Sequence, residues 1–369
     1  MTYITDALFV EVDSSYFLNY SDPSYNYSLE NFELACDRAG EMAAFLSVFQ
    51  PVVYSLMFLL GVTGNGLLLA VLLRRRSRLR ITEVYLFHLA LADLLLLFTF
   101  PFSMTEHAFG WLFGRFLCVA LRFLCSLNFF CGALLLGCIS VERYLAVVHA
   151  VRSLQGRRPL SAHLSCAAVW LVSALVSAPV CPLLSVDEVR GPDGASRWAC
   201  RLHDGIKSSN WVLARRVLEH TLGFLLPLAV MSYCYAAVVV ALCRSRHRSL
   251  EKRGAVRLAL LITAAFCLCW LPYNIVALLD TLLMAKEVAP DNCEDLTRAN
   301  KALAVTQSMG YAHCCLIPLL YAFQGVHFRR ELRLLSCFWA RGSGRASSSL
   351  HSTTRTSWSE GVTTSTKTM

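Results

Sequence analysis

Seven stretches of this chain are apolar over at least the ~20 residues that a helix needs to cross a hydrocarbon core of ~30 Å. Nothing else restricts its fold as strongly. They run Phe45–Leu73, Val84–Met104, Phe116–Val141, Leu164–Leu184, Val212–Leu242, Val256–Leu283 and Ala302–Phe323. In lipid every backbone N–H and C=O must find a partner inside its own segment, so each run is expected to be a helix. None alternates polar and apolar residues as a strand of a membrane barrel does. Only 16% of the 369 residues are charged, against ~25% in soluble domains, which excludes a water-facing globule. The reading is an all-α membrane protein, a seven-transmembrane helix bundle over residues 43–323.

Basic residues in the short loops orient the bundle. Arg74, Arg75, Arg76, Arg78 and Arg80 follow the first run, Arg152, Arg157 and Arg158 the third, and Arg244, Arg246, Arg248, Lys252 and Arg253 the fifth. Those loops are expected in the cytoplasm, so the amino terminus lies outside the plasma membrane and the carboxyl tail inside. The first 40 residues lack the basic start and apolar centre of a cleaved signal peptide, and the first run serves as insertion signal. The net charge of +9 belongs to the cytoplasmic face and does not indicate a nucleic-acid partner. No glycine-rich phosphate loop, HExxH or CxxC pattern is present, so no cofactor and no metal apart from a possible sodium ion are expected, and no enzymatic activity. A transporter would show internal repeats or several intramembrane charges, whereas Asp93 reads as the only acid well inside a run.

The two tails have opposite chemistry. Residues 1–42 form an acidic leader, with seven acids against Arg38 alone over the first 40 positions. Asn19 and Asn26 head glycosylation sequons, and Tyr16, Tyr20, Tyr25 and Tyr27 are sulfotyrosine candidates in acidic context. Such a segment either stays solvated or collects a basic protein ligand by long-range attraction. Residues 324–338 read as a short amphipathic cytoplasmic helix, and Cys337 after its Phe328–Leu335 stretch as a palmitoylation candidate. Residues 339–369 are expected to be disordered. Fifteen Ser/Thr lie between Gly342 and Met369, and phosphorylation would make that tail strongly acidic.

Most of the 16 cysteines lie inside the runs, where they act as small buried hydrophobes. Four fall on the oxidising side, Cys36, Cys118, Cys200 and Cys293, and the sequence alone permits three pairings. Cys181 is unassigned.

Glu142-Arg143-Tyr144 closes the third run with an acid and a base side by side, which taken alone reads equally well as an interfacial stop. Further anchors stand in the other runs: Gly64-Asn65, Leu89-Ala90-Leu91-Ala92-Asp93, Trp170, Pro227 with Tyr235, Cys269-Trp270-Leu271-Pro272 and Pro318-Leu319-Leu320-Tyr321. Together, and in this order, they resemble the rhodopsin-like G-protein-coupled receptors from about Phe45 to Arg330. Thr99-Phe100-Pro101, Trp111-Leu112-Phe113-Gly114 and Tyr144–Ala150 are similar to the chemokine receptors. Gly132–Ser140, Gly223–Ala236 and Gly310–Phe323 are most similar to the CXC members, type three before type five.

The resemblance implies disulfides Cys118–Cys200 and Cys36–Cys293, a basic CXC chemokine as ligand, a heterotrimeric G protein (Gi class), and receptor kinases with arrestin on the tail. It places Trp111, Asp280, Gln307 and Tyr311 at the bundle mouth, with Trp270 and Tyr273 deeper. Asp280 would pair with a ligand base or be an ordinary helix-end acid. Many family members carry an acid where Gln307 stands. Glu142, Arg143, Tyr144, Tyr235 and Tyr321 would form the G-protein-facing switch, and Asp93, Asn65 and Asn128 a sodium and water site. The family's Asn-Pro-x-x-Tyr reads Ile317-Pro318-Leu319-Leu320-Tyr321 here. A polar relay from Asp93 to Tyr321 loses a node at Ile317, so signalling is expected to survive in reduced form. The alternative is a scavenging receptor that takes up chemokine without coupling.

Overall fold

The computed structural model describes residues 39–74, 79–149, 159–190, 196–202, 209–244, 250–285 and 293–324. Seven helices among them are long and apolar enough to cross a membrane. Span one is Ala44–Arg74, two Ile81–Phe109, three Gly114–Val148, four Ser161–Leu183, five Leu213–Arg244, six Val256–Leu282 and seven Thr297–Leu320. All seven runs of the sequence thus become helices, but some helices outrun them. Span three continues to Val148, so Glu142, Arg143 and Tyr144 lie within it and do not end it. Water takes over the backbone groups once a helix leaves hydrocarbon, and no Gly or Pro in Leu145–Val148 breaks the turn.

The bundle is partitioned in the opposite sense to a soluble protein. Leu59, Leu171, Leu175 and Leu268 are 62–69% exposed, while Asn65, Asp93, Ser140 and Gln307 are completely buried. An apolar belt of that extent suits lipid. The polar groups turn inwards, where hydrogen bonds offset their loss of water.

Span four ends in a 3-10 turn over Ala178–Leu183, where Pro179 and Pro182 each remove a backbone donor. Strands β1 (Leu184–Arg190) and β2 (Ser196–Leu202) follow as an antiparallel hairpin with Val186 opposite Cys200. Cys200 is disulfide-bonded to Cys118 of span three. The bridge holds the hairpin over one end of the bundle and contributes ~2–4 kcal/mol. We call this the hairpin end; Arg143 marks the other.

Span five changes register on its way across. It is α-helical over Ser209–Leu218, π-helical over Glu219–Leu225, and α-helical again from Leu226. Pro227 has no N–H to give and crowds the carbonyl four residues before it, which favours the wider turn. Gly223 makes the close packing of that segment possible, since a Cβ there would stand 2.1 Å from Phe129 Cε1. Wide turns of this kind gather at functional sites.

Candidate functional site

At the Arg143 end, span two begins with Glu83 Oε2 accepting the Arg80 backbone N–H at 2.8 Å while the Glu83 backbone N–H donates to the Arg80 carbonyl at 2.8 Å, which together fix the first turn. That turn sets Thr82 beside span three. Arg143 Nη2 lies 2.5 Å from Glu142 Oε2 and also donates to Thr82 Oγ1. Thr82 in turn donates to Glu142 Oε2 at 3.1 Å. The three side chains close a ring of charge-assisted bonds, stronger than neutral ones. Sequence reading passes over Thr82, because a lone threonine at a helix start carries no signal of its own. Tyr235 is buried and shares a hydrogen bond with Thr263 of span six at 3.2 Å. Tyr144 Oη is 3.1 Å from His149 Nε2, and its ring rests on Tyr233.

In the middle of the bundle, Asp93 Oδ1 accepts from Asn128 Nδ2 at 3.1 Å and lies 3.6 Å from His313 Nε2. His313 Nδ1 donates to the Gly310 carbonyl at 2.7 Å. Asn65 Nδ2 donates to Gly61 O (3.0 Å) and Cys314 O (2.9 Å), joining span one to span seven. Asp93 Oδ2, Asn128 Oδ1 and His313 Nε2 are buried without a hydrogen-bond partner among the described residues. The two oxygens are the donor type a hard cation takes, so Asp93 and Asn128 fit sodium. The Asn65 amide nitrogen is committed to its bridge, while its Oδ1 is buried without a hydrogen-bond partner among the described residues and is a third oxygen of that type. Ile317, 1% exposed, stands one turn beyond His313 on the same face and offers only carbon.

Above this core Trp270 is fully buried. Its ring lies 4.7 Å from Phe129, 5.7 Å from Tyr273 and 5.8 Å from both Tyr311 and His313, centroid to centroid. Gly310 packs beneath it, where a Cβ would meet the indole at 2.7 Å. Gln307 Nε2 donates to Tyr311 Oη at 3.0 Å. Gln307, Tyr311, Trp270 and Tyr273 are therefore brought together.

Trp111 is not brought there. Its backbone N–H donates to Trp198 O at 2.7 Å and its Nε1 to Gly114 O at 2.9 Å. It packs with Leu121, Leu184 and the Cys118–Cys200 bridge, as a support of the hairpin. Asp280 is not a free acid either: its Oδ2 is 2.5 Å from Arg216 Nη1, and Arg216 is 3% exposed. One turn deeper, His220 Nδ1 is 3.1 Å from Asn274 Oδ1, and Arg215 pairs with Glu219. Glu219, buried as the seventh residue of span five, corrects the reading of Asp93 as the only acid well inside a span. Arg216, Glu219 and His220 went unnoticed in sequence, although charges inside the Val212–Leu242 run were the signal.

Cys36, Asn19, Asn26, Tyr16, Tyr20, Tyr25, Tyr27, Cys337 and the 325–369 region lie outside the described residues, as do the side chains of Cys293 and Tyr321.

Seven helices long and apolar enough to cross a membrane, a hairpin bonded to the third of them and an arginine ring at that helix's far end define a seven-helix membrane protein. Residues 64–321 match the family described as 7 transmembrane receptor (rhodopsin family). The chain is 42% identical over 343 residues to C-X-C chemokine receptor type 5 of Homo sapiens, covering 93% of this chain and 91% of that one. It is 41% identical over 335 residues to type 3 of Homo sapiens, covering 90% and 86%, and 39% identical over 313 residues to type 2 of Pan troglodytes, covering 85% of each. The chain belongs to the chemokine receptors of the rhodopsin-like family.

Proposed function

We propose that the chain is a plasma-membrane CXC chemokine receptor with its amino terminus outside the cell, which converts binding of a basic chemokine into activation of a Gi-class G protein and chemotaxis. The acidic residues 1–40 collect the ligand, and its flexible end enters the hairpin end above Trp270. The ring of Glu142, Arg143 and Thr82 carries the reading. It is a contact made in one arrangement and broken in another, as a two-state switch needs. Span six pivots at Pro272, where a backbone bond is missing. Arg143 is then freed towards Tyr235, Tyr321 and a G-protein helix. A sodium ion held by Asp93 and Asn128 would add positive charge to the core in the closed arrangement. Kinases then phosphorylate the Ser/Thr-rich tail and arrestin draws the receptor inside.

A panel of CXC chemokines tests this, with G-protein activation and ligand uptake measured in one cell line. Activation by at least one supports the reading. Uptake without activation supports the scavenging alternative, which Ile317 favours. Thr82→Val keeps the shape but removes both hydroxyl bonds from the ring. At about 1 kcal/mol net for such a loss, ligand-free nucleotide exchange on the G protein is expected to rise ~5-fold.

A further inference from the structure

A cavity of about 460 Å³ lies among spans two, three, four and five towards the Arg143 end, a volume ordinary for a small-molecule site. Two of its lining residues, Ile81 and Ser161, are the first residues of spans two and four, so it starts near the membrane surface. At its other end it reaches Ala133 and Pro227. The nine steps along span three from Glu142 to Ala133 cover ~14 Å, about half of a ~30 Å hydrocarbon core. The cavity is therefore one leaflet deep. Its rim faces lipid, with Val141, Leu145 and Leu226 37–50% exposed.

Inside, the wall is smooth and stiff. Ala133, Gly137 and Val141 follow one another at four-residue steps on one face of span three, and Pro227 of span five lines the cavity with them. A Cβ at Gly137 would meet no neighbouring atom within 4 Å, so the groove passes over that glycine. The polar lining, Tyr85, Glu142, Ser161 and Ser165, gathers at the membrane-surface end. Tyr85 is 7% exposed and its Oη lies 2.7 Å from Ser165 Oγ. Ser165 gives its only hydroxyl proton to the Ala162 carbonyl at 2.9 Å, so the Tyr85 proton lies on the bond to Ser165. Tyr85 Oη can still accept a hydrogen bond but has no second proton to give.

The matching molecule has a rigid apolar body one leaflet long and, at its surface end, a neutral group that donates a hydrogen bond. A flexible acyl chain loses conformational freedom in a fixed groove, whereas fused rings have little to lose. We propose that this cavity is a sterol site, with the sterol hydroxyl donating to Tyr85 Oη and the rings laid over Ala133, Gly137 and Pro227. The occupant packs against Glu142, beside the ring that holds Arg143. The site depends on the membrane placement of the bundle and not on which extracellular ligand it serves.

The test labels full-length receptor in phosphatidylcholine nanodiscs with a photoreactive sterol, with unlabelled cholesterol as competitor, and maps the labelled peptides. Labelling on spans three and five that cholesterol displaces is expected. The corresponding ketone, cholestenone, keeps the rings but cannot donate to Tyr85, and should compete ~5-fold less well. Tyr85→Phe removes the acceptor, and should weaken cholesterol ~5-fold while leaving the ketone unchanged. Gly137→Leu fills the groove and should abolish the displaceable labelling; the change favours a helix, and thermal unfolding checks that the variant is folded. If it is not, the comparison of cholesterol with its ketone in Tyr85→Phe decides alone. Labels on other spans, undiminished labelling of folded Gly137→Leu, or equal competition by cholesterol and the ketone overturn the proposal. A photoreactive phosphatidylcholine that labels the same peptides and is not displaced by cholesterol assigns the groove to acyl chains and overturns it too.

Discussion

Asp280→Ala is expected to destabilise the receptor by about 3–5 kcal/mol, although the Asp280 side chain is itself 22% exposed. The loss arises at the other partner. Arg216 is 3% exposed, and without Asp280 its guanidinium stays dehydrated with the neutral Thr281 hydroxyl as a hydrogen-bond partner. A buried charge stripped of its counterion is among the few single changes that reach this magnitude. Replacing both partners should do far less harm. Arg216→Met with Asp280→Leu exchanges the pair for apolar groups of similar length, which is commonly neutral or better. The double-mutant cycle then isolates the pair from its surroundings. Thermal unfolding of solubilised receptor reports it through a thiol-reactive dye, since Cys131, Cys166 and Cys314 are fully buried until the bundle opens. An acid that served only the ligand would leave the unfolding temperature unchanged in Asp280→Ala and lower chemokine affinity alone. That result would remove Arg216–Asp280 from the structural account.

The same pair shows what the chain makes legible and what it does not. The seven spans could be read directly, because hydrocarbon imposes one demand on length and one on polarity, and both are local. The Cys118–Cys200 bridge was reachable only through family resemblance, and the structure contains it. Arg216 and Asp280 are 64 positions apart, and their meeting depends on how spans five and six are rotated, which no local pattern encodes. The partners of Trp111 were out of reach for a related reason. Its indole N–H finds the carbonyl of Gly114, three residues on, and a loop's own hydrogen bonds are invisible in composition. Glu219 is different, since a carboxylate inside an apolar run is a local signal. The apolar weight of its neighbours masked it, together with the arginine one turn earlier that makes it tolerable.

Ile317→Asn is expected to raise chemokine-driven G-protein activation. Asp93 Oδ2, Asn128 Oδ1 and His313 Nε2 lack hydrogen-bond partners among the described residues, and Ile317 is the buried alkyl group one turn from His313. An asparagine there brings an amide N–H donor to a place whose unmet atoms are acceptors. Unmade buried hydrogen bonds cost about 1–3 kcal/mol, which as a coupling term corresponds to ~5–150-fold in the ratio of two states. The full factor appears only if the new bonds form in the open arrangement; bonds made equally in both shift nothing. Ile317→Val controls for shape and should leave activation where it is. Asp93→Asn combined with Ile317→Asn should lose most of the gain, because the two side chains then act through one network. If Ile317→Asn and Ile317→Val are alike at saturating chemokine, the signal does not pass span seven at this position. The ring of Glu142, Arg143 and Thr82 would then be opened by span six alone, and the missing polar group would be no reason for reduced coupling.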